Sequence, residues 1–428
     1  MRTLRDSGNC LAWRPLSLLL VAVGCWPGTE AGRDRPSDTP SLTPPAIRDS
    51  AGITIVENAV PQWTAGSEWR VDALLTSVGA AEGDPAHELY RVMDATRLSD
   101  GTVAVGNSSS GEIRFFRQDG TFVRSVGSKG GGPGEFRGAN ALRALRSVAG
   151  DTLITWDIYA QSVSVFAPDG EFVRSFLLDG PSRQHFFAGI FEDRALLMHV
   201  FEPTFSGSVE NMPEGVIRAS IILYHYGVDH SLIGHVEDIV DSDRFQARWG
   251  PWGMMLTDAP FGRTTSINVG GSRIYVATGD SDEITVYDQS GQVQMLIRRT
   301  LAPTAVTTAM IRRDKARRLE EEQQAHLEES RVAPRVRRMI AELPYPPVLP
   351  PYGSTVLDSE LNLWVEEFRV AGDGPYDWSV FDSQGIWLGR VTLPEGLEVF
   401  EIGPDYILGK TVDDVGVERV EVYELVEK

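Results

Sequence analysis

The sequence of 428 residues predicts an all-β fold, a six-bladed β-propeller with a helical insertion between its fourth and fifth blades. Three observations carry this. A β-rich run, a Gly-centred turn and a second β-rich run recur as one phrase: Ile113 to Gly127, Val163 to Phe176, Ile284 to Ile297 and Trp378 to Val391. Weaker copies occupy Ile221 to Val236 and Arg419 to Lys428. Alternating large apolar residues around Asp-Gly, Ser-Gly or Gln-Gly describe an antiparallel hairpin, and its return at about fifty residues signals a radial repeat. Finally, the last copy stops one strand short while Ile53 to Val56 and Trp69 to Leu75 precede the first blade without partners, so an early strand is expected to close the ring and remove its open edges.

The elements follow in order. Arg2, Arg5 and Arg14 precede a short apolar run, Leu16 to Val23, that ends at Gly24-Cys25. This is the pattern of a removable export signal over residues 1–24, too short to span a bilayer as a mature helix. Residues 25–50, rich in Pro, Thr, Ser and Asp, lack apolar periodicity and are expected to form a flexible tether. The propeller is expected over residues 51–428. Its blades begin near Val92, Ala141, Phe186, Ile267, Val356 and Val399. One insert, Glu237 to Arg263, joins the third and fourth blades. A second covers Ala302 to Tyr352: Thr304 to Arg331 has no Pro or Gly and is dense in strong helix formers. A short helix, Arg335 to Leu343, and the polyproline-like run Pro344 to Tyr352 follow.

Charge excludes one class of partner. The net charge of −20 becomes −22 once the leader leaves with three arginines and one aspartate, and such a field repels nucleic acid. Neither cysteine, Cys10 or Cys25, lies in the folded part, so no disulfide is expected there.

Gly24-Cys25 closing an apolar run resembles the lipobox of bacterial lipoproteins; the resemblance implies lipidation of Cys25 and attachment to a membrane outside the cytoplasm. Asn107 to Gly138, which ends its Gly-rich loop in Gly132-Pro133-Gly134-Glu135-Phe136, resembles an NHL repeat. The whole chain is similar to bacterial exported six-bladed NHL-like propellers, including the helical insert and the proline run, a resemblance that brings no known reaction.

Two sets of residues could carry function. Arg248, Trp249, Trp252, Phe261 and Arg263 in the first insert, with Tyr345 and Tyr352 from the second, mix guanidinium with aromatic rings. That composition suits recognition of a protein or small-molecule ligand. Aligning the ends of the second strands groups Asn107, Asp157, Thr278, Glu367 and Thr411, with His199 in the third blade. Their oxygens suit Ca²⁺, and calcium-dependent lactonase-type propellers use comparable donors; capping of the following turn is the competing role. No nucleophile elbow or His-based metal motif is present. The favoured expectation is therefore a lipid-anchored binding or scaffolding module with no cofactor, and the alternative is a calcium-dependent hydrolase or lyase.

Overall fold

The computed structural model describes residues 44–427 apart from 65, 81–82, 181–183, 203–211, 249–252, 326–333 and 372–373. The expected leader, its Cys25 and most of the tether lie outside these residues, as do Trp249 and Trp252.

The described chain is all-β, built largely of four-stranded sheets in the manner of a propeller. The first sheet is Val92–Arg97, Val103–Asn107, Glu112–Phe116 and Phe122–Val126, paired in that order. The second runs Leu142–Val148, Thr152–Asp157, Ser162–Phe166 and Phe172–Leu177. The third is His185–Ile190, Leu196–Phe201, Ser220–Tyr226 and Leu232–Val240. The fourth holds Ser266–Gly270, Arg273–Ala277, Glu283–Asp288 and Val293–Arg299. The fifth holds Thr355–Leu357, Leu363–Glu366, Tyr376–Phe381 and Trp387–Leu393. Glu398–Ile402, Tyr406–Val412 and Glu418–Val426 form the sixth, and the early strand Arg70–Val78 completes it antiparallel to Glu418–Val426.

The other early strand goes elsewhere. Ile53–Asn58 pairs in parallel with Val293–Arg299, and Ala46–Ser50 then pairs with it, so the fourth sheet has six strands. Buried Val56 and the Asn58 amide, which donates to the Gly385 carbonyl at 2.9 Å, fix it against the fifth sheet. Residues expected as tether, 46–50, thus begin the ordered part. The first insert is also more ordered than its sequence suggests: Arg244–Arg248 and Met254–Asp258 join Gly215–Ile217 in a separate three-stranded sheet.

Apolar side chains on alternate strand positions meet between neighbouring sheets. Phe115 and Leu145 join the first to the second, Trp156 and Met198 the second to the third, and Leu223 and Ile274 the third to the fourth. Val286 and Phe381 join the fourth to the fifth, Trp364 and Ile407 the fifth to the sixth, and Leu408 and Val105 return the series to the first.

The repeated turn has a second task. Gly120, Gly170, Gly291 and Gly385 all sit in the left-handed region, with φ between 80° and 84°, where a side chain is strained. Each also abuts the fourth strand of the preceding sheet: Gly120 faces Ser77 and Val78, Gly170 Val126, Gly291 Val236, and Gly385 Ile297. A Cβ on Gly291 would lie 2.2 Å from the Val236 carbonyl oxygen. Gly291→Ala is therefore expected to lower stability by roughly 2–4 kcal/mol, from positive φ and the backbone clash together. Urea unfolding of the variant checks this, and a midpoint equal to that of the native chain would contradict it.

Two α-helices lie between the fourth and fifth sheets, α1 (Thr308–Ala325) and α2 (Pro334–Glu342). Pro334 opens α2, where a missing N–H costs nothing. Val336 and Ile340, one turn apart, bury against Phe245 and Ala259 of the first insert. Asp314 of α1 is nearly inaccessible and accepts from Arg317 and Arg318 at 2.7 Å each and from the Tyr345 hydroxyl at 2.8 Å. The two inserts thereby form one cap over part of the fourth and fifth sheets. No described helix is long and apolar enough to cross a membrane.

Candidate functional site

A cleft of about 910 Å³ opens where this cap meets the turns that follow the second strands of the fourth and fifth sheets. One wall is aromatic and proline-rich. The Phe261 ring stands edge-on to Tyr345 at 5.2 Å and to Phe368 at 6.4 Å, and Pro344, Pro346 and Pro347 continue the surface. Proline stiffens this wall before anything binds to it.

The floor is charged. Asp280 and Asp282 lie in the turn between the second and third strands of the fourth sheet, and Glu367 follows the second strand of the fifth. Asp243, from the first insert, forms a two-point pair with Arg263 at 2.9 Å and 2.9 Å. Burial alone would raise the Asp243 carboxyl, but hydrogen bonds from Arg263 outweigh it and hold the group below its ordinary value. Arg263 also reaches Asp280 at 2.6 Å, and Arg218 meets the same oxygen at 2.7 Å.

Arg299 is the buried centre of the floor, with its side chain 2% exposed. It donates to Asp282 at 2.9 Å, to the Ser379 hydroxyl at 3.0 Å, to the Pro351 carbonyl at 3.4 Å, and to Glu367. Ser379 donates to Glu367 at 2.5 Å, and Arg390 approaches Glu367 at 3.5 Å. Burial pushes the Asp282 carboxyl above its ordinary value; Arg299 opposes that push and the Glu367 charge adds to it. The second oxygen of Asp282, Oδ2, is buried without a hydrogen-bond partner among the described residues.

The cleft brings together Phe261, Arg263 and Tyr345 from the expected recognition set, and Glu367 from the expected oxygen set. Tyr352 does not line it. This side chain is fully buried beneath, its hydroxyl donating to the Glu283 carbonyl at 3.1 Å and accepting from the Gly279 N–H at 3.0 Å; burial pushes its pKa up to about 12. Arg248 lies on the far side of the insert, paired with Glu214 at 3.4 Å.

The oxygen set does not converge on one place. Asn107 accepts from the Tyr90 N–H at 2.9 Å and donates to Ser110 at 2.9 Å. Asp157 accepts three backbone N–H groups, from Arg137, Tyr159 and Ala160, at 2.6 to 2.8 Å. Thr278 donates to Asp280 at 3.1 Å. Thr411 is paired within the sixth sheet against Arg419. The His199 ring stacks on Phe186, and burial lowers its pKa to about 4. Turn capping thus accounts for Asn107 and Asp157, and no cluster of three or more His, Cys, Asp or Glu suited to a metal occurs among the described residues.

This assigns Asp157 a testable role. Asp157→Ala is expected to lose roughly 1–3 kcal/mol, since three part-buried backbone donors lose their acceptor, and to lose it equally in calcium and in a chelator. A native melting temperature that climbs with calcium, and a variant that no longer responds, would restore the metal assignment.

Polar contacts between first strands of neighbouring sheets were not anticipated from the sequence. Asp94, buried, accepts from the Leu145 N–H at 2.9 Å and pairs with Arg146, while Thr96 donates to Glu401 at 2.5 Å. Asn268 of the fourth sheet donates to Thr355 of the fifth at 2.7 Å.

No family model and no curated protein matches the chain. Solved structures do. A member of the DUF4221 family from Bacteroides vulgatus is 10% identical, with a TM-score of 0.45 over 84% of this chain and 99% of that one. A presumed exported protein from Bacteroides fragilis is 13% identical, with a TM-score of 0.44 over 86% and 99%. A gluconolactonase from Xanthomonas campestris is 13% identical, with a TM-score of 0.37 over 83% and 88%.

Proposed function

We propose that the chain is an exported, lipid-anchored six-bladed propeller of NHL-like type that binds a small ligand in the cleft beneath its helical cap. The observation that carries this reading is the cleft itself. A rigid apolar wall faces a floor of fixed charges, in a volume within the usual range for small-molecule sites. The charged groups are already held by one another, so the floor needs little rearrangement to receive a ligand.

The alternative, a calcium-dependent hydrolase or lyase, would need oxygen donors free to turn toward a cation. Asn107 and Asp157 are engaged with backbone donors, which favours binding over metal-assisted chemistry.

A thermal-shift screen of amino acids, sugars, amines and organic acids tests the cleft. Compounds that raise the melting temperature of the native chain should fail to do so in Phe368→Arg, which fills the cleft. Equal responses in both proteins would place the binding elsewhere. Anchoring is tested separately: Cys25→Ala should move the protein from the membrane fraction to the soluble exported fraction, and unchanged fractionation would exclude the lipid.

A further inference from the structure

We infer that the cleft selects an organic cation, an ammonium or amidinium group carried on an apolar body; this rests on the cleft being a ligand site. The argument is an inventory of hydrogen-bonding groups. Every guanidinium nitrogen of Arg263 is engaged, by Asp243 and Asp280. Every guanidinium nitrogen of Arg299 is engaged too, by Asp282, Glu367, Ser379 and Pro351. Each guanidinium nitrogen of these two arginines thus already faces a protein acceptor.

Asp280, Asp282 and Glu367 of the floor each keep one oxygen less fully engaged. Oδ2 of Asp282 is buried with no partner among the described residues. Asp280 takes both arginines on Oδ1, leaving Oδ2 with the Thr278 hydroxyl at 3.1 Å. Glu367 receives Arg299, Ser379 and Arg390 on Oε1, and its Oε2 takes no bond among the described residues. A carboxylate oxygen left without a donor in a partly desolvated site is costly, and a ligand N–H removes that cost.

The wall agrees independently. Phe261, Tyr345 and Phe368 all line the same space, and aromatic faces attract cations that have left bulk water. The Tyr345 hydroxyl already donates to Asp314, so it adds no donor to the cleft. Arg390 is the cation that stands against this pattern. It sits at the rim, 46% exposed, with its guanidinium 5.3 Å from the Trp387 ring centroid.

Isothermal titration of the full mature chain with benzamidine, benzyl alcohol and benzoate reads the selection directly. Benzamidine is expected to bind about tenfold or more tightly than either of the others, the size of one charge-assisted pair. Asp280→Asn should erase that preference while the melting temperature stays near native. Because Asp280 also holds Arg218 and Arg263, a second variant guards against misfolding: Arg390→Gln removes one contact to Glu367, leaves Arg299 and Ser379 on that carboxylate, and should tighten benzamidine about threefold by removing the cation. The tripeptide Gly-Lys-Gly, titrated alongside, separates a free organic cation from the same charge on a peptide side chain. Equal affinity for benzamidine and benzyl alcohol would overturn cation selection while leaving the cleft as a binding site. Absence of binding by all the probes would overturn both.

Discussion

A chain lacking residues 44–78 should not unfold cooperatively at all. Arg70–Val78 is the fourth strand of the sixth sheet, where Thr76 and Val78 are buried and Val78 packs with Leu408 and Val420. The Thr76 hydroxyl also donates to the Gln118 carbonyl at 2.6 Å, tying this strand to the first sheet. Its removal exposes a sheet edge and opens the contact between the sixth and first sheets together. The loss is on the order of the whole 5–15 kcal/mol that keeps a domain folded. Removing residues 44–58 alone is a milder change. It strips two outer strands from the fourth sheet and costs the burial of Ile55, Val56 and Asn58, roughly 3–5 kcal/mol by comparison with large core truncations. Circular-dichroism melts of the two truncations should therefore differ in kind, a lost transition against a lowered one. Two similar sigmoidal melts would refute the closing role of Arg70–Val78.

Arg299→Met should be the most damaging point substitution near the cleft. It replaces an arginine held among Asp282, Glu367, Ser379 and the Pro351 carbonyl, leaving two carboxylates without their shared partner. Breaking a buried pair from one side costs about 3–5 kcal/mol. The pH dependence has a definite sign. Asp282 is already raised above the ordinary carboxylate value of 3.8, by burial first, and loss of Arg299 raises it further. A carboxylate raised in the folded state contributes most when protonated, and that contribution disappears as pH rises through its folded value. The penalty in Arg299→Met should thus be smaller at about pH 4.5 than at about pH 7.5. Restoring neutrality with Asp282→Asn and Glu367→Gln should recover much of the loss. A penalty that is independent of pH and survives in the triple variant would mean that packing, and not charge, dominates at this position.

What the sequence disclosed, and what it did not, follows from the range of each signal. The hairpins were legible because a Gly at positive φ between two alternating runs is a local signature, as at Gly120 and Gly385. An early strand completing the last sheet was inferable from one missing partner. The parallel pairing of Ile53–Asn58 with Val293–Arg299 was not, because parallel neighbours share no turn. The small sheet of the first insert escaped for a related reason: Gly215–Ile217 supplies its third strand from the far side of the third sheet's last hairpin. At the cleft, Phe261, Arg263 and Tyr345 stood out as aromatic and guanidinium groups within the inserts. Asp280, Asp282 and Arg299 did not, since each alone looks like an ordinary turn or strand-end residue; only folding sets Asp282 against the buried Arg299 and Asp280 against Arg218 and Arg263.

The pairing of Arg70–Val78 with Glu418–Val426 also governs when the molecule can mature. Loop closure over that span has a high entropic cost, and topologies built on distant partners fold slowly. While the chain is being made, its early strand stays without its mate until all the intervening sheets have emerged.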